Sequence, residues 1–248
     1  MSALRLERRG PVLRVTLARP ERRNAFDAAL IAELTEAFSD VGHARAVVLA
    51  GEGPSFCAGA DVEWQRSSVE LTYEENVEDA TRLLRMLQAI DGCPVPVVAR
   101  AHGYALGGGS GLVACADIAV ATDDAVFGFS EVKLGIVPAV ISPFVLKKIG
   151  SAARRLFTTG ERFGAETALR IGLVDEVADD ADAAVDRIVG ELLTSGPEAA
   201  SVAKRLVREP PPVEELPRLA ARMRTSDEGQ EGLRAFLEKR APGWRTLR

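Results

Sequence analysis

Residues 93–115 read CPVPVVARAHGYALGGGSGLVAC. The run Cys93-Pro94-Val95-Pro96-Val97-Val98-Ala99 has the length and composition of a buried strand. It leads into Gly103-Tyr104-Ala105-Leu106-Gly107-Gly108-Gly109 and then a helix of small residues ending near Cys115. The same plan occurs upstream. Ala46-Val47-Val48-Leu49-Ala50 reads as a fully apolar strand, Gly51-Glu52-Gly53-Pro54 closes it, and the small-residue loop Phe56-Cys57-Ala58-Gly59-Ala60-Asp61 follows.

Outward from these stretches the alternation continues. Leu13, Val15 and Leu17 face opposite to Arg14 and Thr16, as in a half-buried strand that Arg19-Pro20 stops. Asp27 opens a helix with Leu30, Leu34, Ala37 and Phe38 on one face. A long helix is expected over 74–91, with Val77, Ala80, Leu83, Leu84 and Leu87 buried. Ile118-Ala119-Val120-Ala121 and Val126-Phe127-Gly128-Phe129 read as strands, and the pattern is mainly helical from about 138. Strands alternating with helices give an α/β core over residues 1–195. A helical region covers 196–248, with a hinge at Pro210-Pro211-Pro212.

Composition narrows the function. The 248 residues are 47% apolar, 27% charged and 5% aromatic, so the core is built from Ala, Val, Leu and Ile. Thirty-six acids against 31 bases leave a net charge of −5, the wrong sign for a dedicated nucleic-acid binder. Cys57, Cys93 and Cys115 form neither a CxxC nor an even disulfide set, which points to a reducing, cytoplasmic home. Arg5, Arg8, Arg9 and Arg14 break up any leader-like apolar segment, and no run approaches the ~20 residues of a membrane span. Two histidines, His43 and His102, exclude a mechanism that needs several; His102 reads as a turn residue.

The glycine triplet fits none of the common phosphate or nucleophile templates. GxxxxGK[ST] is absent, and both GxGxxG from Gly107 and GxSxG around Ser110 fail at Leu112. What remains is two loops in which a strand runs into small residues, one at a helix start. Such a loop lets backbone approach a ligand closely, and a helix start offers unpaired N–H groups. Two N–H groups aimed at one point make an oxyanion hole. On spacing alone, two turns required only for packing are equally consistent.

The chain resembles the crotonase, or enoyl-CoA hydratase/isomerase, superfamily along nearly its whole length. The similarity lies in Arg19-Pro20-Glu21-Arg22-Arg23-Asn24-Ala25, in the two loops above and in Phe129-Ser130-Glu131-Val132-Lys133-Leu134-Gly135-Ile136-Val137-Pro138. Thr159-Gly160-Glu161-Arg162-Phe163, Gly172-Leu173-Val174 and Phe236-Leu237-Glu238-Lys239-Arg240 follow in the family's order. The resemblance implies a crotonase-type ββα spiral with a C-terminal helical trimerisation region, assembled as a homotrimer or homohexamer. It also implies an acyl-CoA thioester substrate and no separate cofactor or metal.

Residue by residue, the resemblance implies that the N–H groups of Ala60 and Gly108 hold the thioester oxygen. Glu131 falls on the family's catalytic glutamate. Arg22, Arg23, Ala25, Ala58, Asp61, Val62, Tyr104, Gly107, Pro138, Phe236 and Lys239 fall on substrate- or CoA-binding positions. Typical hydratases of the family carry a second glutamate two residues after the triplet; here that position is Gly111. Val137-Pro138-Ala139-Val140-Ile141-Ser142-Pro143 with Gly109-Ser110-Gly111-Leu112 is similar to the methylglutaconyl-CoA hydratase subgroup. That similarity suggests that Gly111 leaves room for a substrate carboxylate. The expected activity is hydration of an α,β-unsaturated acyl-CoA. The rivals are a double-bond isomerase and a non-catalytic acyl-CoA- or RNA-binding relative.

Overall fold

The computed structural model describes residues 2–245. In chain order the elements are β1 (Leu4–Arg9), β2 (Val12–Leu17), α1 (Ala28–Ser39), β3 (Ala46–Gly51), α2 (Val62–Ser68) and α3 (Tyr73–Asp91). Then come β4 (Val97–Ala101), β5 (Tyr104–Leu106), α4 (Gly108–Cys115), β6 (Ile118–Ala121), β7 (Val126–Gly128), α5 (Ser142–Ile149) and α6 (Ala153–Thr159). The chain continues through β8 (Arg162–Gly164), α7 (Ala165–Ile171), β9 (Glu176–Val177) and α8 (Ala181–Thr194). It ends with α9 (Pro197–Arg208), α10 (Leu216–Thr225) and α11 (Asp227–Leu237).

Six strands form one sheet in the order β1-β2-β3-β4-β6-β9, parallel from β2 onward; β5, β7 and β8 form a second, smaller one. Each turn of the chain gives one strand to each sheet and then a helix: β4, β5, α4, followed by β6, β7, α5. The first turn has the same form, because Cys57 bridges to Ala105 in parallel fashion between β3 and α2. This is the ββα spiral that the resemblance implied.

The apolar runs of β3 and β4 follow from helices lying on both faces of the sheet. Val47, Leu49, Val97, Ala99, Ala119 and Ala121 belong to the main core with α1, α3 and α4. Their alternating neighbours Val48, Val98 and Val120 pack on Ala181, Ala184, Val185 and Val189 of α8. The expected face of α1 is buried throughout, and the Asp27 carboxylate caps its start through the Leu30 N–H.

Several boundaries differ from the expectation. β4 begins at Val97 rather than Cys93, because Pro94 and Pro96 have no N–H to give a ladder. β1 was hidden by its arginines, which suit an edge strand exposed to solvent. The stretch after 138 contains the short strands β8 and β9, too brief to show a period. On α3, Leu87 is buried and Leu83 and Leu84 are half-buried, but Val77 and Ala80 are exposed. Ala80 lines a cavity instead of the core, and Val77 is open to solvent.

The helices after 196 are tied to the core by polar contacts. Lys204 of α9 pairs with Asp117 at 2.7 Å and donates to the Val95 carbonyl, and Arg208 pairs with Asp91 at 2.8 Å. Arg45 donates to the carbonyls of Leu193, Ser195 and Trp244. The last three residues of the expected 196–248 region lie outside the described residues. No helix among the described residues is long and apolar enough to cross a membrane.

Candidate active site

The two glycine-rich loops meet because each continues a strand of the spiral. Cys57 donates to the Tyr104 carbonyl at 2.9 Å, and Leu106 donates back to the Cys57 carbonyl at 3.0 Å. On the outer side, Phe26 donates to the Gly59 carbonyl and Asp61 donates to the Phe26 carbonyl. That pattern leaves the Ala60 N–H without a protein acceptor among the described residues. Gly108 is the first residue of α4, so its N–H has no partner within the helix. Both residues line one cavity of about 480 Å³.

Side chains are excluded here by close packing. Gly107 has φ +52° and ψ −118°, a conformation that disfavours any side chain. At Gly109, a Cβ would come within 2.2 Å of the Cys57 carbonyl oxygen. Ser110, fully buried, donates to the Ala105 carbonyl at 2.6 Å and holds the start of α4 to β5.

Glu131 enters the same cavity from a 3₁₀ turn, Ser130–Leu134, that follows β7. The turn is anchored by Phe129, whose ring packs edge-on to Phe157 at 5.0 Å and against Phe163 at 5.9 Å. Glu131 Oε1 lies 3.2 Å from where a Cβ on Gly107 would stand, so the carboxyl group is beside the second glycine-rich loop. Its Oε2 is buried without a hydrogen-bond partner among the described residues. Burial pushes the carboxyl above the usual carboxylate range, offset only in part by its own backbone N–H. A glutamate so placed can take and return a proton near neutral pH.

Of the other expected site residues, Ala58, Gly107 and Pro138 line the cavity with Ala60, Gly108 and Glu131. Arg22, Arg23, Ala25, Asp61, Val62, Tyr104, Phe236 and Lys239 do not. Asp61 instead caps α2 through the Glu63 N–H and pairs with Arg22 at 3.2 Å. Burial alone would raise the Asp61 carboxyl, but the Glu63 N–H, Arg22 and the Trp64 N–H outweigh it and hold it low. Arg23 and Asn24 both have positive φ, and the buried Asn24 amide ties Arg19, Glu52 and Ser55 together. Val62 and Phe236 are 68% and 80% exposed. Arg162 lies over the Tyr104 ring at 5.6 Å.

At Gly111 the space that a side chain would need is taken, because a Cβ there would stand 2.7 Å from Ile141 Cγ2. Ile141 has taken the space and lines the cavity in its own right.

The sequence reading missed most of the far wall, formed by Trp64, Gln65 and Ser68 of α2 and by Asn76, Asp79, Ala80 and Leu83 of α3. Positions 76, 79, 80 and 83 share a helix face, and that spacing was the available signal. His102 bonds the Gly53 carbonyl at 2.8 Å, as befits a turn residue. The three cysteines are buried and unpaired, and burial pushes the Cys57 thiol up to about 12.

The chain as a whole matches known proteins. A family profile described as Enoyl-CoA hydratase/isomerase matches residues 7–246. A putative enoyl-CoA hydratase of Thermus thermophilus is 35% identical, over 94% of this chain and 97% of its own. A cyclohexa-1,5-dienecarbonyl-CoA hydratase of Thauera aromatica is 33% identical, over 96% and 95%. Among solved structures, an enoyl-CoA hydratase from Shewanella pealeana superposes with a TM-score of 0.92 at 38% identity, covering 98% of this chain and 96% of that one. The AtuE protein of Pseudomonas aeruginosa does so with 0.93 at 36%, covering 98% and 100%. With a profile spanning nearly the whole sequence and relatives matched end to end, this chain belongs to the enoyl-CoA hydratase/isomerase family of enzymes.

Proposed function

We propose that the enzyme adds water across the α,β double bond of an enoyl-CoA thioester, with Glu131 as its one acid–base group. The observation that carries this reading is the buried, unpartnered Oε2 of Glu131 in a cavity shared with the N–H groups of Ala60 and Gly108. Ionised Glu131 takes a proton from water as the oxygen bonds to the β-carbon. The π electrons move through the α-carbon onto the thioester oxygen, where the two N–H groups hold the enolate. One such donor is worth roughly 3–4 kcal/mol of barrier. The enolate then collapses, and the proton on Glu131 passes to the α-carbon, restoring the carboxylate.

One feature favours a second reading. With Ile141 filling the space at Gly111, no carboxylate stands at that position, and moving a double bond between carbons needs only one. Incubation with crotonyl-CoA and with a 3-enoyl-CoA in deuterated buffer separates the two. Loss of conjugated absorbance with crotonyl-CoA supports hydration. Conversion of the 3-enoyl to the 2-enoyl thioester with no loss from crotonyl-CoA overturns hydration in favour of isomerisation. Binding without turnover of either would make this a non-catalytic relative.

The family resemblance, which implies a trimer, and the exposed apolar residues Leu233, Phe236 and Leu237 support self-association through the C-terminal helices. A cytoplasmic location accords with three unpaired cysteines.

A further inference from the structure

Asp79 is a carboxylate where an apolar acyl chain is expected. It lines the cavity from α3 and is only 8% exposed. Its Oδ1 receives Arg82 Nη2 at 2.7 Å, but Arg82 is itself more than half exposed, so that ion pair gives no reason for the acid to be buried. Oδ2 accepts no hydrogen bond from any described residue and is not sealed within the protein, so it opens on the cavity. The neighbouring amide does not serve it: Asn76 Nδ2 is held by the carbonyls of Ser68, Leu71 and Thr72.

Leu87, farther along α3, packs beside α4 with its Cδ2 3.8 Å from where a Cβ on Gly111 would stand, and about 12 Å along the helix axis separates it from Asp79. Asp79 thus stands on the α3 wall of the cavity with Asn76, Ala80 and Leu83.

We propose that Asp79 is a specificity-determining residue, accepting a hydrogen bond from a donor such as a hydroxyl on the acyl chain. The proposal rests on the acyl-CoA reading of the cavity. A plain alkyl chain would strip water from Oδ2 and return nothing. A chain ending in a carboxylate would set like charges together in a poorly solvated space. A hydroxyl satisfies Oδ2 without adding charge.

Calorimetry tests this with saturated acyl-CoAs of matched length ending in a methyl, a hydroxyl or a carboxylate, bound to the wild type, Asp79→Asn and Asp79→Leu. The wild type should bind the hydroxyl form at least about tenfold tighter than the methyl form, the size of a hydrogen bond to a charged group. Asp79→Leu should reverse that order, and Asp79→Asn should raise carboxylate binding about tenfold relative to methyl. Ratios taken on one protein cancel any general weakening of a variant. A hydroxyl-to-methyl ratio within about twofold in the wild type, or unchanged in Asp79→Leu, overturns the proposal. Binding does not require turnover, so the expected ratios in an enzyme that hydrates nothing would remove only the hydratase reading. Acyl-CoA binding with flat ratios would remove only this one, and failure to bind any acyl-CoA would remove both.

Discussion

Ile141 occupies the space that a side chain at position 111 would need: its Cγ2 stands 2.7 Å, and its Cβ 3.2 Å, from where a Cβ on Gly111 would lie. The glycine and the isoleucine are a packed pair from α4 and the loop before α5. Alanine at 111 would gain about 1 kcal/mol of helix propensity, but overpacking costs about 1–3 kcal/mol. Gly111→Ala should therefore lower Tm, by about 2–4 °C per kcal/mol of net loss. Ile141→Ala should be destabilising alone by about 2–5 kcal/mol, and the double variant less so than the sum. A double-mutant cycle by urea unfolding measures the coupling, and additivity within about 0.5 kcal/mol would mean the contact is relaxed away.

Glu131→Gln should lower kcat by roughly 10²–10⁴ with KM changed little, because volume is kept and only proton transfer is lost. Steady-state kinetics on crotonyl-CoA reads this directly. In the wild type, the acid limb of kcat/KM should lie above the ordinary glutamate value of 4.5, because the base must be ionised.

The same group makes a stability prediction of opposite sign. A carboxyl raised by folding binds its proton more tightly in the native state, so its contribution is fully present below the unfolded value and is lost as pH rises through the folded one. Glu131→Gln should thus melt higher than wild type at neutral pH. That advantage should vanish below the ordinary glutamate range. Melting scans across pH check it, and a constant offset would place the effect elsewhere.

Asp61 should behave in the reverse way. Its carboxyl is held low by the Glu63 N–H and Arg22 against the cost of burial, so its contribution is present above the unfolded value and is lost as pH falls through the folded one. Asp61→Ala also removes the α2 cap, a change of about 1 kcal/mol. Differential scanning should show Asp61→Ala below wild type at neutral pH, with the gap closing in acid.

Asn24 holds two loops together through three hydrogen bonds while itself at φ +54°. Asn24→Ala leaves buried groups unpaired in a backbone shape that alanine disfavours, and should cost about 2–4 kcal/mol. Urea unfolding gives the number; a loss under about 1 kcal/mol would show that water replaces the amide.

The sequence by itself determined the alternation of strands and helices and the two glycine-rich loops; the spiral came only with the family resemblance. The strands at 46–50 and 118–121 announce themselves as apolar runs because helices cover both faces of their sheet. Gly107 and Gly109 are legible because local backbone shape and close packing demand residues without a Cβ. Glu131 was legible only by resemblance, since a glutamate between Ser130 and Val132 carries no local mark of burial. The tertiary structure alone decided what surrounds it. Ile141 meets Gly111, and Asp79 meets the cavity, through contacts between segments distant in sequence, which no periodicity encodes. Val77 and Ala80 continue the apolar stripe of α3, yet Ala80 lines the cavity and Val77 is left open to solvent. A stripe records which face is apolar; only packing decides whether protein or an open cavity lies against it.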